Sequence, residues 1–190
     1  MIDSMEAMRI ISRCRGEAIV VACMTAKEEW HHVSTQRQLD FLYIGAMGKA
    51  SSVGLGLALA KPQRKVILID ADGSLLMNLG SLVTIANMAP GNLIHFVMEN
   101  GIYRITGGQP IPNAGKLSFS GLAKEAGYRQ VYDFDEAGPL DKKIPIIMRQ
   151  TGPTFVCVKS PSVSECSPYT SPRLDAKLVR EFRSTLSNVH

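Results

Sequence analysis

VILIDADGSLLMNLGSLVTIANMAPGNLIHFVMEN, residues 66–100, is the stretch on which the fold turns. Val66 to Asp70 and Leu93 to Met98 are short, almost continuous apolar runs, the mark of strands buried on both faces. Leu75 to Met88 between them carries a helical period, opened by Ser74. The alternation repeats outward in both directions. Ala18 to Cys23, Phe41 to Ile44, Gln130 to Tyr132 and Thr154 to Val158 read as further strands. Glu28 to Ser34, Ala46 to Ala60, Ser118 to Ala126 and Asp135 to Gln150 read as helices, the last broken by Gly138, Pro139 and Pro145. The expected fold is therefore α/β, a three-layer α/β/α arrangement with a mostly parallel sheet. Lys159 to Pro172, rich in Ser and Pro, reads as a connector. It leads to an amphipathic helix from Leu174 to Leu186, with Leu178, Phe182 and Leu186 on one stripe.

The length of 190 residues, with 45% hydrophobic and 20% charged side chains, suits one globular domain with a real core and excludes disorder, collagen and coiled coil. The net charge of +4 comes without a run of five like charges, so neither nucleic acid nor a membrane surface is an expected partner. Other proteins and small anions are. Cys14, Cys23, Cys157 and Cys166 form no CxxC pair and read as idle reduced thiols. With no apolar run of about 18 residues, the expected location is cytoplasmic.

In open parallel sheets ligands bind beyond the carboxyl ends of the strands. Three loops there are unusual: Gly45-Ala46-Met47-Gly48, Ala71-Asp72-Gly73-Ser74 and Glu99-Asn100-Gly101-Ile102-Tyr103. Two chemistries compete for them. Glycines at 45, 48, 54 and 56, with Asp70 22 residues beyond Gly48, imitate a dinucleotide fingerprint in which Asp70 would bind a ribose. That turn is GAMG rather than GxGxxG, however, and Gly54 and Gly56 fall inside the helix. The alternative is a metal and phosphate site. Asp72 offers a hard oxygen to Mg²⁺, Gly73 permits close approach of a phosphate, and the helix begun by Ser74 presents free N–H groups to an anion. Asp-Gly-Ser by itself is most often a turn and helix cap. The 26 residues from Ser74 to Glu99 fill one helix and one strand, which returns Asn100 and the Ile102 carbonyl to the same edge as two further oxygen donors.

In these residues the chain resembles the thiamine-diphosphate enzymes, whose pyrophosphate-binding domain carries GDG, a helix and a strand, and then Asn. Here the pattern is ADG-x26-N, with Ala71 for the first Gly and Glu99-Asn100 for the usual NN pair. The resemblance implies thiamine diphosphate and Mg²⁺ as cofactors, with Asp72, Asn100 and the Ile102 carbonyl on the metal and Gly73 and Ser74 on the diphosphate. It assigns Met47 to propping the bent cofactor and Ala46 to meeting the aminopyrimidine through its carbonyl, with Gly45, Gly48 and Tyr103 beside them. Residues 1–160 would form the pyrophosphate-binding domain, with 161–190 a connector and helix packed on it.

Tyr43 to Ala60, Ile69 to Ala86 and Thr106-Gly107-Gly108-Gln109-Pro110 look more narrowly like sulfopyruvate and phosphonopyruvate decarboxylases. The implied activity is that of the beta subunit of a hetero-oligomer, decarboxylating 3-sulfopyruvate to sulfoacetaldehyde and CO2. The activating Glu and the pyrimidine-binding domain would belong to a separate alpha-type subunit. Glu28 and Glu29, the adjacent acidic pair beside Trp30, read instead as a solvated helix start. For the substrate's anionic tail the sequence offers Arg104, Thr106, Gln109 and Lys116. Phosphonopyruvate or another 2-oxoacid, and a regulatory module that binds the cofactor without turnover, are the alternatives. The role of Lys49, next to the GAMG turn, stays open.

Overall fold

The computed structural model describes residues 1–161 and 176–187. Cys166, Leu174 and most of the expected connector lie outside the described residues.

The elements in chain order are α1 (Ser4–Cys14), β1 (Ile19–Cys23), α2 (Met24–Val33), β2 (Asp40–Ile44), α3 (Ala50–Ala60), β3 (Val66–Ala71), α4 (Asp72–Leu76) and α5 (Ser81–Met88). Then follow β4 (Leu93–Glu99), β5 (Ile102–Tyr103), β6 (Gln109–Pro110), α6 (Phe119–Ala126), β7 (Gln130–Phe134), α7 (Ala137–Ile147), β8 (Thr154–Lys159) and α8 (Ala176–Ser187). Six strands form one sheet in the order β2-β1-β3-β4-β8-β7, every neighbouring pair parallel. The three-layer α/β/α expectation holds. Alternate strand residues feed two separate cores. Ile19, Val21, Leu68 and Val97 face α3, α5, α6 and α8, while Val20, Ile67, Ile69 and Phe96 face α1, α2 and α7. Strands clothed on both faces lose the polar alternation of a half-exposed sheet, which is why their sequences read as plain apolar runs.

Chain order reverses between β1 and β3: from β1 the chain goes outward to β2, then crosses to β3 on the other side. That is the switch point at which open sheets leave a crevice beyond the strand ends. The loops after β1, β2, β3 and β4 all emerge at this end.

Several elements depart from the sequence expectation. Helix α1 was not anticipated. Its Asp3 cap accepts the Glu6 N–H at 3.0 Å and it buries Ala7, Met8, Ile10 and Ile11, so Asp3-x-x-Glu6 before an apolar i, i+3, i+4 pattern was its signal. The helix expected over 75–88 is two helices, α4 and α5. Asn78 breaks it by donating its Nδ2 to the Gly48 carbonyl at 2.8 Å, a tertiary bond that no local propensity encodes. Helix α7 in turn runs through Pro145 unbroken. Pro145 lies on the exposed side, so the Asp141 carbonyl it frees faces water, while Leu140, Ile144 and Ile147 anchor the buried side. Helix α8 seats Phe182 against Phe41, ring centroids 5.3 Å apart, and buries Leu186.

Candidate functional site

Four loops build one cleft at the switch point. The β1–α2 junction contributes Met24 and Thr25, the β2–α3 turn Met47, and the β3–α4 junction Ala71, Gly73 and Ser74. The segment after β4 contributes Asn100, Ile102, Tyr103, Arg104, Ile105 and Thr106. The cleft encloses only ≈ 20 Å³, room for about one water, so these residues form one wall for a larger ligand rather than an enclosed pocket.

Asp72 organises that wall. Its carboxyl is fully buried and accepts N–H bonds from Gly73 at 2.8 Å, Asn100 at 3.0 Å and Gly101 at 2.6 Å. The last two tie the end of β3 to the end of β4. Burial pushes its pKa up to about 6, against the pull of the three N–H donors. Asn100 turns its Oδ1 onto the Ile102 N–H at 3.0 Å, which leaves a second lone pair on that oxygen. Among the described residues no group of three or more His, Cys, Asp and Glu gathers anywhere. A softer metal that needs imidazole or thiolate therefore has no ligand set here, whereas one carboxylate with amide and carbonyl oxygens is the hard set Mg²⁺ takes beside phosphate and water. The residues present fit Mg²⁺ and a diphosphate.

Gly73 lies under the Tyr103 ring: a Cβ at this position would stand 2.6 Å from Tyr103 Cδ1. Any side chain at 73 would push that ring outward. Gly48 takes φ +73°, left-handed backbone that a side chain would strain. Its N–H donates to Ser74 Oγ at 3.0 Å. Ser74, expected on the diphosphate, thus has its hydroxyl engaged with the GAMG turn and with the Asp70 carboxyl. Gly45 and Ala46 are exposed, Met47 is half-buried against the core, and Lys49 is exposed. Asp70 does not reach the cleft. It is fully buried, accepts from Cys23 Sγ at 3.0 Å and from the Ala71 N–H at 2.9 Å, and its pKa is pushed up by burial, which leaves the ribose hydroxyl of that reading without its acceptor in the cleft.

Among the residues proposed for a substrate anion, Arg104 and Thr106 line the cleft. Gln109 folds back onto Thr106, its Nε2 on the Thr106 carbonyl at 2.8 Å, and Lys116 is exposed away from the wall. Sequence reasoning missed Met24 and Thr25, although the rule that ligands sit beyond strand ends applies to β1 as well. Met24 has φ +54°, a left-handed conformation that costs about 1–2 kcal/mol for a residue with a Cβ. Glu29 was misread. Because α2 starts at Met24, Glu29 lies inside the helix, half-buried, and pairs with Arg104. Burial pushes its carboxyl up, while Ser4 and Arg104 pull it back.

Comparison with known proteins gives this wall a family. The family described as thiamine pyrophosphate enzyme, C-terminal TPP binding domain, matches residues 21–158. Phosphonopyruvate decarboxylase of Streptomyces viridochromogenes is 34% identical over 179 residues, covering 93% of this chain but only 44% of that protein. Sulfopyruvate decarboxylase subunit beta of Methanothermobacter thermautotrophicus is 33% identical over 155 residues, covering 77% of this chain and 83% of the subunit. The solved benzoylformate decarboxylase of Polynucleobacter necessarius superposes with a TM-score of 0.71 over 86% of this chain and 33% of its own, at 18% identity, a likeness of fold. Among the described residues no helix is long and apolar enough to cross a membrane. The chain belongs to the thiamine-pyrophosphate enzymes and carries their C-terminal cofactor-binding domain.

Proposed function

We propose that the chain is the diphosphate-binding subunit of a thiamine-diphosphate-dependent decarboxylase that converts 3-sulfopyruvate to sulfoacetaldehyde and CO2, in a hetero-oligomer with a separate pyrimidine-binding subunit. The observation that carries the cofactor reading is the convergence of buried Asp72 with Asn100 at the switch point. Asp72, the Asn100 amide oxygen and the Ile102 carbonyl hold Mg²⁺, and the Gly73 and Ser74 backbone receives the diphosphate. Ser74 Oγ acts one step back by fixing Gly48, so that Met47 and the Ala46 carbonyl are presented at a set height. Gly45 and Tyr103 complete the cofactor wall. Bound thiamine diphosphate supplies the nucleophile for the 2-oxo carbon and the electron sink for loss of CO2. Residues 1–160 form the pyrophosphate-binding domain and 161–190 its appendage.

The two-subunit reading is supported by the match over 83% of a subunit named beta. A second substrate reading, phosphonopyruvate, is favoured by the 34% identity that spans 93% of this chain. The test is steady-state release of CO2 from sulfopyruvate, phosphonopyruvate and pyruvate, by this chain alone and together with a pyrimidine-domain subunit. Turnover of sulfopyruvate is expected only from the pair. Full activity of the chain alone overturns the two-subunit reading, and a preference for phosphonopyruvate replaces the substrate.

A further inference from the structure

We propose that Glu29 is a specificity-determining residue. Paired with Arg104 at the cleft wall, it leaves the anion receptor with one guanidinium of reduced net charge, suited to a singly charged sulfonate rather than a doubly charged phosphonate. The inference rests on the sulfopyruvate reading above.

Arg104 opens the short 3-10 turn Arg104–Thr106 and is the cationic side chain among the residues that line the cleft. Its Nη1 donates to Glu29 Oε1 at 3.1 Å, and the same oxygen accepts the Ser4 hydroxyl at 2.8 Å. The pair is thus gripped from α1, α2 and the turn at once. Both partners are largely shielded, with 22% and 15% of the two side chains exposed, so salt screens them less than a surface pair. Arg104 Nε is buried and has no hydrogen-bond partner among the described residues. What faces the cleft is the exposed part of the guanidinium, and a cation in such a wall points to an anionic acceptor, since a charge-assisted hydrogen bond is strong.

Charge decides which acceptor. The guanidinium attracts either tail, but the carboxylate behind it repels each in proportion to its charge. For an added negative charge about 7 Å from Glu29, Coulomb's law at an effective dielectric of about 20 gives a penalty on the order of a 50-fold change in affinity, and partial exposure reduces this to roughly 5- to 50-fold. The sulfonate bears that repulsion once and the phosphonate dianion twice.

The experiment uses the assembled, cofactor-loaded enzyme at about pH 9, where a phosphonate, which loses its second proton at higher pH than a phosphate ester, is doubly ionised. Dissociation constants are measured by calorimetry for 3-sulfopropionate, 3-phosphonopropionate and propionate, none of which carries a reactive carbonyl. The wild type is expected to prefer the sulfonate. Glu29→Gln keeps the shape and an acceptor for Ser4, and it should shift the sulfonate-to-phosphonate ratio toward phosphonate by about 5- to 50-fold. Arg104→Gln bares Glu29 and should weaken both tails, the phosphonate more. A purely structural role would lower both affinities together. Unchanged ratios in the two variants overturn the inference. A wild type that binds neither tail better than propionate overturns the sulfopyruvate reading and the inference with it.

Discussion

Two carboxylates lie buried at opposite ends of the strands, and they meet opposite partners. Asp40, at the amino end of β2 and 2% exposed, accepts Arg15 Nη1 at 2.8 Å and the Ser34 hydroxyl. Arg15 is further held by the Ala18 carbonyl at 2.8 Å and lies 5.4 Å from the Trp30 ring centre. Asp72, at the carboxyl end of β3, meets no cation among the described residues and accepts from the N–H groups of Gly73, Asn100 and Gly101. The first carboxylate is neutralised inside the fold; the second is met by N–H dipoles. Equal burial therefore goes with a paired structural charge at one end and, at the other, with the charge proposed to take Mg²⁺.

The contrast breaks most readily at the Asp40 end. Asp40→Ala strands Arg15 in the interior and should cost about 3–5 kcal/mol, on the order of 10 °C in melting temperature. Replacing both partners together, Arg15→Met with Asp40→Leu, should restore most of that, and thermal melts followed by circular dichroism read both. If Asp40→Ala melts like the wild type, the two ends are not different in kind.

Asp72→Asn should invert the pattern. Melting of the metal-free protein should not fall, because Asn keeps an oxygen for the Asn100 and Gly101 N–H groups and carries no buried charge. Mg²⁺-dependent binding of thiamine diphosphate should fall at least about 10- to 100-fold, the loss typical of disturbing even the outer shell of a metal site. Titration calorimetry decides, and an undiminished affinity removes Asp72 from the metal.

The same carboxyl predicts a pH dependence. Its folded pKa, about 6, lies above the ordinary 3.8, so protons compete with Mg²⁺ from about pH 6 downward. Cofactor affinity should drop up to about tenfold per pH unit below 6 and stay level above it. Without metal the sign reverses. The folded state holds the proton more tightly than the unfolded one, so Asp72 makes the protein less stable as pH rises from 3.8 to 6. Asp72→Asn should abolish both trends, and persistence of either in the variant assigns it to another group.

The smallest effect lies outside both clusters and calibrates them. Ala89 closes α5 with φ +46°. Ala89→Gly relieves that left-handed strain and should raise stability by up to about 1 kcal/mol, with cofactor affinity unchanged. A lower melting temperature would show that the Ala89 methyl matters more than its backbone.

Much of the site could be read in advance because its parts are local. Asp72-Gly73 and Asn100 each follow a strand whose apolar run is unmistakable, and a helix and a strand between them return the chain to the same edge. Helix α1 had a local signal that was passed over, but two other misreadings share one cause, the absence of a local signal. The start of α2 is set by a strained Met24 at the end of a buried strand, so Glu29 passed for a helix terminus when it lies a full turn inside. Asn78 resembles any helical Asn until the Gly48 carbonyl is placed beside it.

By itself the sequence determined the α/β class, the six main strands, and the return of Asp72 and Asn100 to one edge of the sheet. These follow from hydrophobic period and from the length of one strand-helix-strand unit, both properties of neighbouring residues. Only the tertiary structure decided that the Ser74 hydroxyl faces inward to Gly48, that Asp70 is sealed off with Cys23, and that Glu29 grips Arg104 across 75 residues of chain. Those contacts depend on the twist and register of the sheet and on the packing angles of helices laid over it. They are set by the packing of the whole chain, and no short stretch of residues carries their cause.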